Sequence, residues 1–128
     1  MLEEYRWLDE YLRAKAGAAY DWKAEWQWHR YLLDGKLFAA LCQPGPEHQG
    51  YDCRPLLTVK CEPELAKALR AEYPADILPG FYMNKTHWNT IFLDGDLSEG
   101  ALKDFCDRSY QLIFGKLSKK RQREIAGA

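Results

Sequence analysis

Asp34-Gly35 stands between two runs free of helix and strand breakers, residues 26–33 (WQWHRYLL) and 36–42 (KLFAALC). A type I′ turn needs positive φ at both central residues, and Asp-Gly meets that need at little cost, so the dipeptide predicts a tight antiparallel hairpin. The chain is thereby committed to a sheet, and the helical periodicities around the hairpin decide what covers it. Residues 2–15 carry Leu2, Tyr5, Leu8 and Leu12 at helical spacing, with Glu3 and Glu4 in the first turn, Arg13 and Lys15 in the last, and Gly17 just beyond. Those charges suit the helix dipole. A second helix is predicted over residues 62–73, with Pro63 in its first turn and Leu65, Leu69 and Tyr73 on one face. A third opens at Ser98 as N-cap and shows Leu102, Phe105, Cys106, Ser109, Ile113 and Leu117 to one side. Residues 55–61 and 87–93 read as further strands, the latter stopping at Asp94-Gly95, while 43–54 reads as an exposed loop and 74–86 as a loop packed down on the body. The predicted order is α-β-β-β-α-β-α, an α+β fold with a single antiparallel sheet and helices packed on one face. Trp88, Phe38, Val59, Leu65, Leu69, Leu102, Cys106 and Ile113 are its expected core. The 128 residues make one domain, with a frayed basic tail from about residue 118.

Charge and cysteine usage restrict the function classes. The formal net charge is -1, so any attraction to nucleic acid or an anionic membrane must come from uneven placement. Residues 1–64 hold 8 basic and 11 acidic groups and residues 65–128 hold 10 and 8, a small bias toward the C-terminal half. No run approaches the ~20 apolar residues of a membrane span, and the acidic start MLEEYRWLDE is unlike a signal peptide, which makes the cytoplasm the expected compartment. Cys42, Cys53, Cys61 and Cys106 show neither CxxC nor two-by-two metal spacing, so they read as reduced thiols; the loop between Cys42 and Cys53 could bring that pair close. His29, His48 and His87 have no partner nearby in sequence and read as structural or exposed. Glu3, Asp9 and Glu10 share one side of the first helix, which is better explained as a solvated face than as a metal site. None of the common hydrolase, zinc-protease or nucleotide-binding motifs is present. The expectation is a non-enzymatic protein without metal or cofactor.

The run PGFYMNKTHWNTIFLDG at residues 79–95 resembles the signature of the MmcQ/YjbR family, whose members carry a similar MNKxHW stretch before a strand ending in Asp-Gly. Other pieces fall in the family's order: Gly35-Lys36 with Phe38 in the hairpin, Thr58-Val59-Lys60-Cys61 ahead of a helix opened by PELA, and Ser109-Tyr110 followed by Lys116-Leu117. The resemblance implies a small α+β fold of the frataxin-like or secretion-chaperone-like kind, and a DNA-binding role through a "double wing" of sheet and helices. The chain departs from the pattern in residues 17–26, which lack the usual Leu-Pro-Gly, and in an enlarged loop after Cys42.

Residues 84–88 put an amide, an ammonium, a hydroxyl, an imidazole and an indole at one junction between loop and strand. Lys85 could grip an anion and Trp88 could offer a flat face to a base, although a core Trp88 and a loop-satisfying Asn84 explain the same residues. Lys36 and Lys60 lie at strand ends and could converge with Lys85, or simply be solvated. Lys116, Lys119, Lys120, Arg121 and Arg123 include no acid among them and suit either phosphate or a helix C-terminus. The expected nucleic-acid contacts are Lys36, Lys60, Asn84, Lys85, His87, Trp88, Lys119, Lys120 and Arg121. A protein partner docking on the sheet is the alternative, favoured by the many aromatic residues. A small-metabolite enzyme with a pocket around Lys85 and His87 is the remaining one.

Overall fold

The hairpin forms as its turn dipeptide demands: Asp34 and Gly35 have φ of 49° and 76°. In the computed structural model, which describes residues 1–51 and 53–127, the hairpin strands are β2 (Trp28–Leu33) and β3 (Lys36–Cys42). The other elements are α1 (Arg6–Arg13), β1 (Ala18–Lys23), β4 (Leu56–Lys60), α2 (Pro63–Glu72), β5 (Ile77–Pro79), β6 (Trp88–Phe92), α3 (Glu99–Phe114) and α4 (Lys119–Gly127). The six strands make one sheet in the order β1-β2-β3-β4-β6-β5, and every neighbouring pair is antiparallel. The predicted α+β class is the observed one.

All four helices contribute to one face of the sheet. Leu8 and Leu12 of α1, Leu102, Cys106, Tyr110 and Ile113 of α3, and Ile125 of α4 bury against Tyr31, Leu33, Ala39, Leu41, Leu57, Val59 and Ile91, and Leu69 of α2 packs on the same cluster. Polar ties fix this layer. The Tyr11 hydroxyl and the Lys15 ammonium both donate to Asp107 at 2.5 Å, and the Tyr31 hydroxyl donates to Asp9 at 2.6 Å. The opposite face has a smaller core of Trp28, Ala40, Cys42, Leu56, Phe81 and Phe92. It is roofed by loops: Tyr51 packs on Phe81 at 5.0 Å and donates its hydroxyl to the Pro79 carbonyl.

Three elements lie outside the predicted order. β1 occupies residues expected to lead into the first strand, and its closing turn depends on Gln27 at φ 57°, a conformation usually signalled by Gly or Asn. β5 is three residues long and pairs as an edge inside the loop read as packed down. The C-terminal segment, expected to fray, is helical: the Ser118 hydroxyl accepts from the Arg121 amide at 3.1 Å, and Ile125 is buried against Gly17. A Cβ on Gly17 would come within 3.0 Å of Leu33 and 3.2 Å of Ile125, so this contact needs glycine.

Of the expected core, Trp88, Phe38, Val59, Leu102, Cys106 and Ile113 are buried, whereas Leu65 and Leu69 are only half-buried. Helix α2 turns Ala66 to the sheet, where the Ala66 carbonyl accepts from Asn89 at 3.3 Å, and this close approach leaves both leucines in a groove beside Phe105 and Leu112. Cys42, Cys61 and Cys106 are buried and Cys53 is exposed, all four as free thiols. Among the described residues no cluster of His, Cys, Asp and Glu could hold a metal ion, and no helix is long and apolar enough to cross a membrane.

Candidate functional site

The segment 80–88 holds itself together with the polar groups that looked available to a ligand. Asn84 Oδ1 accepts from the amides of Thr86 at 2.8 Å and His87 at 3.0 Å, a local turn that asparagine favours. Lys85 Nζ donates to the Gly80 carbonyl at 2.7 Å, and the Lys85 carbonyl accepts from Arg70, whose guanidinium also reaches Asn89. Trp88 is 8% exposed, with its Cβ 2.7 Å from where a Gly80 Cβ would stand. Gly80 packs against the base of this side chain and the residue as a whole is buried, so Trp88 offers no free face for stacking. His87 and Lys85 are exposed, and the His87 carbonyl accepts from the Cys61 amide at 2.8 Å, which seats the segment at the β4 end marked by Lys60.

The β2–β3 turn lies at that same end of the sheet. Lys60 follows Val59, the register partner of Ala39, so it stands alongside the start of β3, where Lys36 is exposed. Between Phe38 and Lys60 the strands do not pair; β3 bulges at Phe38, the residue added where Leu32 and Tyr31 face Leu37 and Ala39. Partial burial and the Lys116 ammonium beside it hold the Lys60 ammonium below its ordinary range. Helix α4 is drawn to the turn by a fork of Arg121 on Asp34, with Nε and Nη2 each 2.9 Å from a carboxylate oxygen. That bond holds the Asp34 carboxyl below its usual range and leaves Lys119 and Lys120 exposed nearby in sequence. Lys36, Lys60, Lys116, Lys119 and Lys120 therefore gather toward one end of the sheet, and among the described residues none of them forms an ion pair. Of the expected contacts, Arg121 is spent on Asp34, Asn84 on its own turn and Trp88 on the core. Lys116, which the sequence reading counted only in the tail, is the cation brought to Lys60.

A second feature was missed altogether. On the loop-roofed face, a cleft of about 470 Å³ opens between the β1–β2 turn, the segment after β3 and the segment after β5. Trp26, Trp28, Phe81, Tyr82 and His48 line it, with Cys42 among its buried walls and Glu25 and Glu47 as its ionisable acids. Burial pushes the Cys42 thiol up to about 12, so this wall stays neutral. Trp26 meets Trp28 edge-on at 5.5 Å, and Tyr82 meets Phe81 at 4.6 Å and His48 at 5.5 Å, also edge-on. Trp26 is 55% exposed and Tyr82 72%, which is unusual for such large rings. Five Trp in so short a chain was the one available sign that some aromatic surface is used.

The family model for YjbR matches residues 13–112. The uncharacterised protein YjbR of Escherichia coli K12 is 30% identical over 116 residues, covering 91% of this chain and 92% of that protein. The uncharacterised protein YyaQ of Bacillus subtilis is 31% identical over 86 residues, covering 65% and 71%. Among solved structures, Deinococcus radiodurans protein DR2400, a DUF419 domain, superposes with a TM-score of 0.78 at 22% identity over 93% of this chain and 85% of its own. The Pseudomonas syringae protein PsR293 does so with a TM-score of 0.71 at 25% identity, covering 84% and 96%. These structures share the fold.

Proposed function

The chain belongs to the YjbR family, and on that footing we propose that it is a small binding module, cytoplasmic and non-enzymatic, that holds nucleic-acid phosphates on the basic end of its sheet. The observation that carries this reading is the gathering of Lys36, Lys60, Lys116, Lys119 and Lys120, from three elements and one linker, with no carboxylate paired to any of them among the described residues. Two ammonium groups held together at Lys60 and Lys116 repel one another, and a phosphate between them relieves that repulsion. His87, exposed beside the same strand end, extends the surface, while the Lys85 ammonium there already donates to the Gly80 carbonyl. The net charge of -1 opposes a polyanion at long range, so affinity is modest and comes from local phosphate contacts without base readout.

Fluorescence anisotropy with labelled duplex and single-stranded oligonucleotides at low salt tests the reading. Binding should appear at roughly 100 μM protein or below, with little dependence on sequence. No change at that concentration would move the assignment to a protein partner, the reading favoured by the exposed Trp22, Trp26 and Tyr82 rings.

A further inference from the structure

We propose that the aromatic cleft on the loop-roofed face is a binding site for a small organic cation of the alkylammonium type. It shares no residue with the basic end of the sheet, so either proposal can fail without the other. The volume of about 470 Å³ suits a small-molecule head group. Its rings are set edge to face, with Trp26 at 68° to Trp28 and Tyr82 at 84° to His48, and Trp26 and Tyr82 are the exposed rings of the lining. Aromatic faces carry the negative part of the ring quadrupole and attract cations.

Charge in the lining has the same sign. Among the described residues Glu25 and Glu47 are the carboxylates of the lining, about two thirds exposed, and no lysine or arginine lines the space; Glu25 pairs with Lys23 at its rim at 3.2 Å and Glu47 lies 3.2 Å from His48 Nε2. An anion would meet two carboxylates and five ring systems; a cation is attracted by all of them except the His48 imidazole when protonated. The chain's own cations already sample this field, Lys23 Nζ standing 5.3 Å from the Trp26 centroid and the Arg30 guanidinium 6.0 Å.

Backbone conformation supplies an independent observation. Gln27 and Tyr82 hold φ of 57° and 55°, so among the described residues two of the four non-glycine positions with positive φ line this one cleft. For a bulky side chain that conformation is strained, and a ring left 72% exposed recovers little burial in return. The strain places the Tyr82 ring over the cleft beside His48, whose Nδ1 lies 3.4 Å from the Tyr82 hydroxyl.

Choline and its uncharged isostere 3,3-dimethylbutanol make the test, with sodium chloride holding ionic strength constant and indole NMR signals as the readout. Choline should shift the Trp26 and Trp28 indoles saturably, with a dissociation constant in the millimolar range, and the neutral isostere should bind roughly tenfold more weakly. Trp26→Ala should weaken choline by a similar factor with little change in thermal midpoint, because Trp26 is 55% exposed. Tyr82→Gly, which removes the ring and relieves the backbone, should also weaken choline. Equal binding of the isostere, absence of saturation up to about 100 mM choline, or unchanged binding in both variants would each overturn the proposal.

Discussion

The Ser109 hydroxyl donates to the Phe38 carbonyl at 2.6 Å, and the same oxygen accepts from the Lys60 amide at 2.8 Å. One side chain of α3 thus completes the ladder where the bulge at Phe38 parts β3 from β4, and it seats Lys60 at the edge of the basic surface. Ser109 is fully buried, so its loss would strand two backbone groups. Ser109→Ala should cost about 2 kcal/mol or more in denaturant unfolding, the penalty of leaving buried polar groups unpaired. A loss below about 0.5 kcal/mol would mean that the strands close without it.

Trp88 and Gly80 make a paired prediction. Trp88→Ala removes a buried indole and should cost about 3 to 5 kcal/mol. Gly80→Ala should also destabilise, because its new Cβ would meet the Trp88 Cβ at 2.7 Å with the Trp88 carbonyl at 3.2 Å behind it. Unfolding of Trp88→Ala at the wild-type temperature would contradict the core assignment.

His29 predicts the acid side of the stability profile. Burial holds its imidazole below the ordinary value of 6.5, with the Tyr20 hydroxyl 2.8 Å from Nδ1 and the Trp22 ring 4.6 Å away. The unfolded chain therefore takes up the His29 proton at higher pH than the folded one. Stability should fall as pH drops from about 6.5 to the folded value, then stop falling on this account. In His29→Gln that step should vanish; an unchanged step would assign it elsewhere.

Thiol reactivity follows burial. Cys53 is exposed, whereas burial pushes Cys42 and Cys106 up to about 12 and also raises Cys61. A native thiol titration should count one fast cysteine, and Cys53→Ser should abolish it. Fast labelling of a second site would contradict the placement of the other three.

Local chemistry decided which elements could be read in advance. The Asp34-Gly35 hairpin and the Ser98 cap announce themselves, the latter accepting from the Ala101 amide at 3.1 Å. β1 was hidden because glutamine fills the left-handed position of its turn, and α4 because Ile125 is its one buried residue and stands among basic ones. Lys36 and Lys60 could be suspected from their strand ends, whereas Lys116 reaches Lys60 only through the path of α3. The cleft was invisible for the same kind of reason: Trp26 and Tyr82 are far apart in the chain and come to line one space only in the folded protein.

The salt dependence of DNA binding, measured by anisotropy for the wild type and for Lys60→Gln/Lys116→Gln, addresses the basic end of the sheet most directly. The log K against log salt slope should flatten by roughly 2 units in the double variant, with affinity reduced about equally on unrelated sequences. An unchanged slope, or binding that persists at wild-type strength, would show that the Lys60 and Lys116 ammonium groups touch no phosphate.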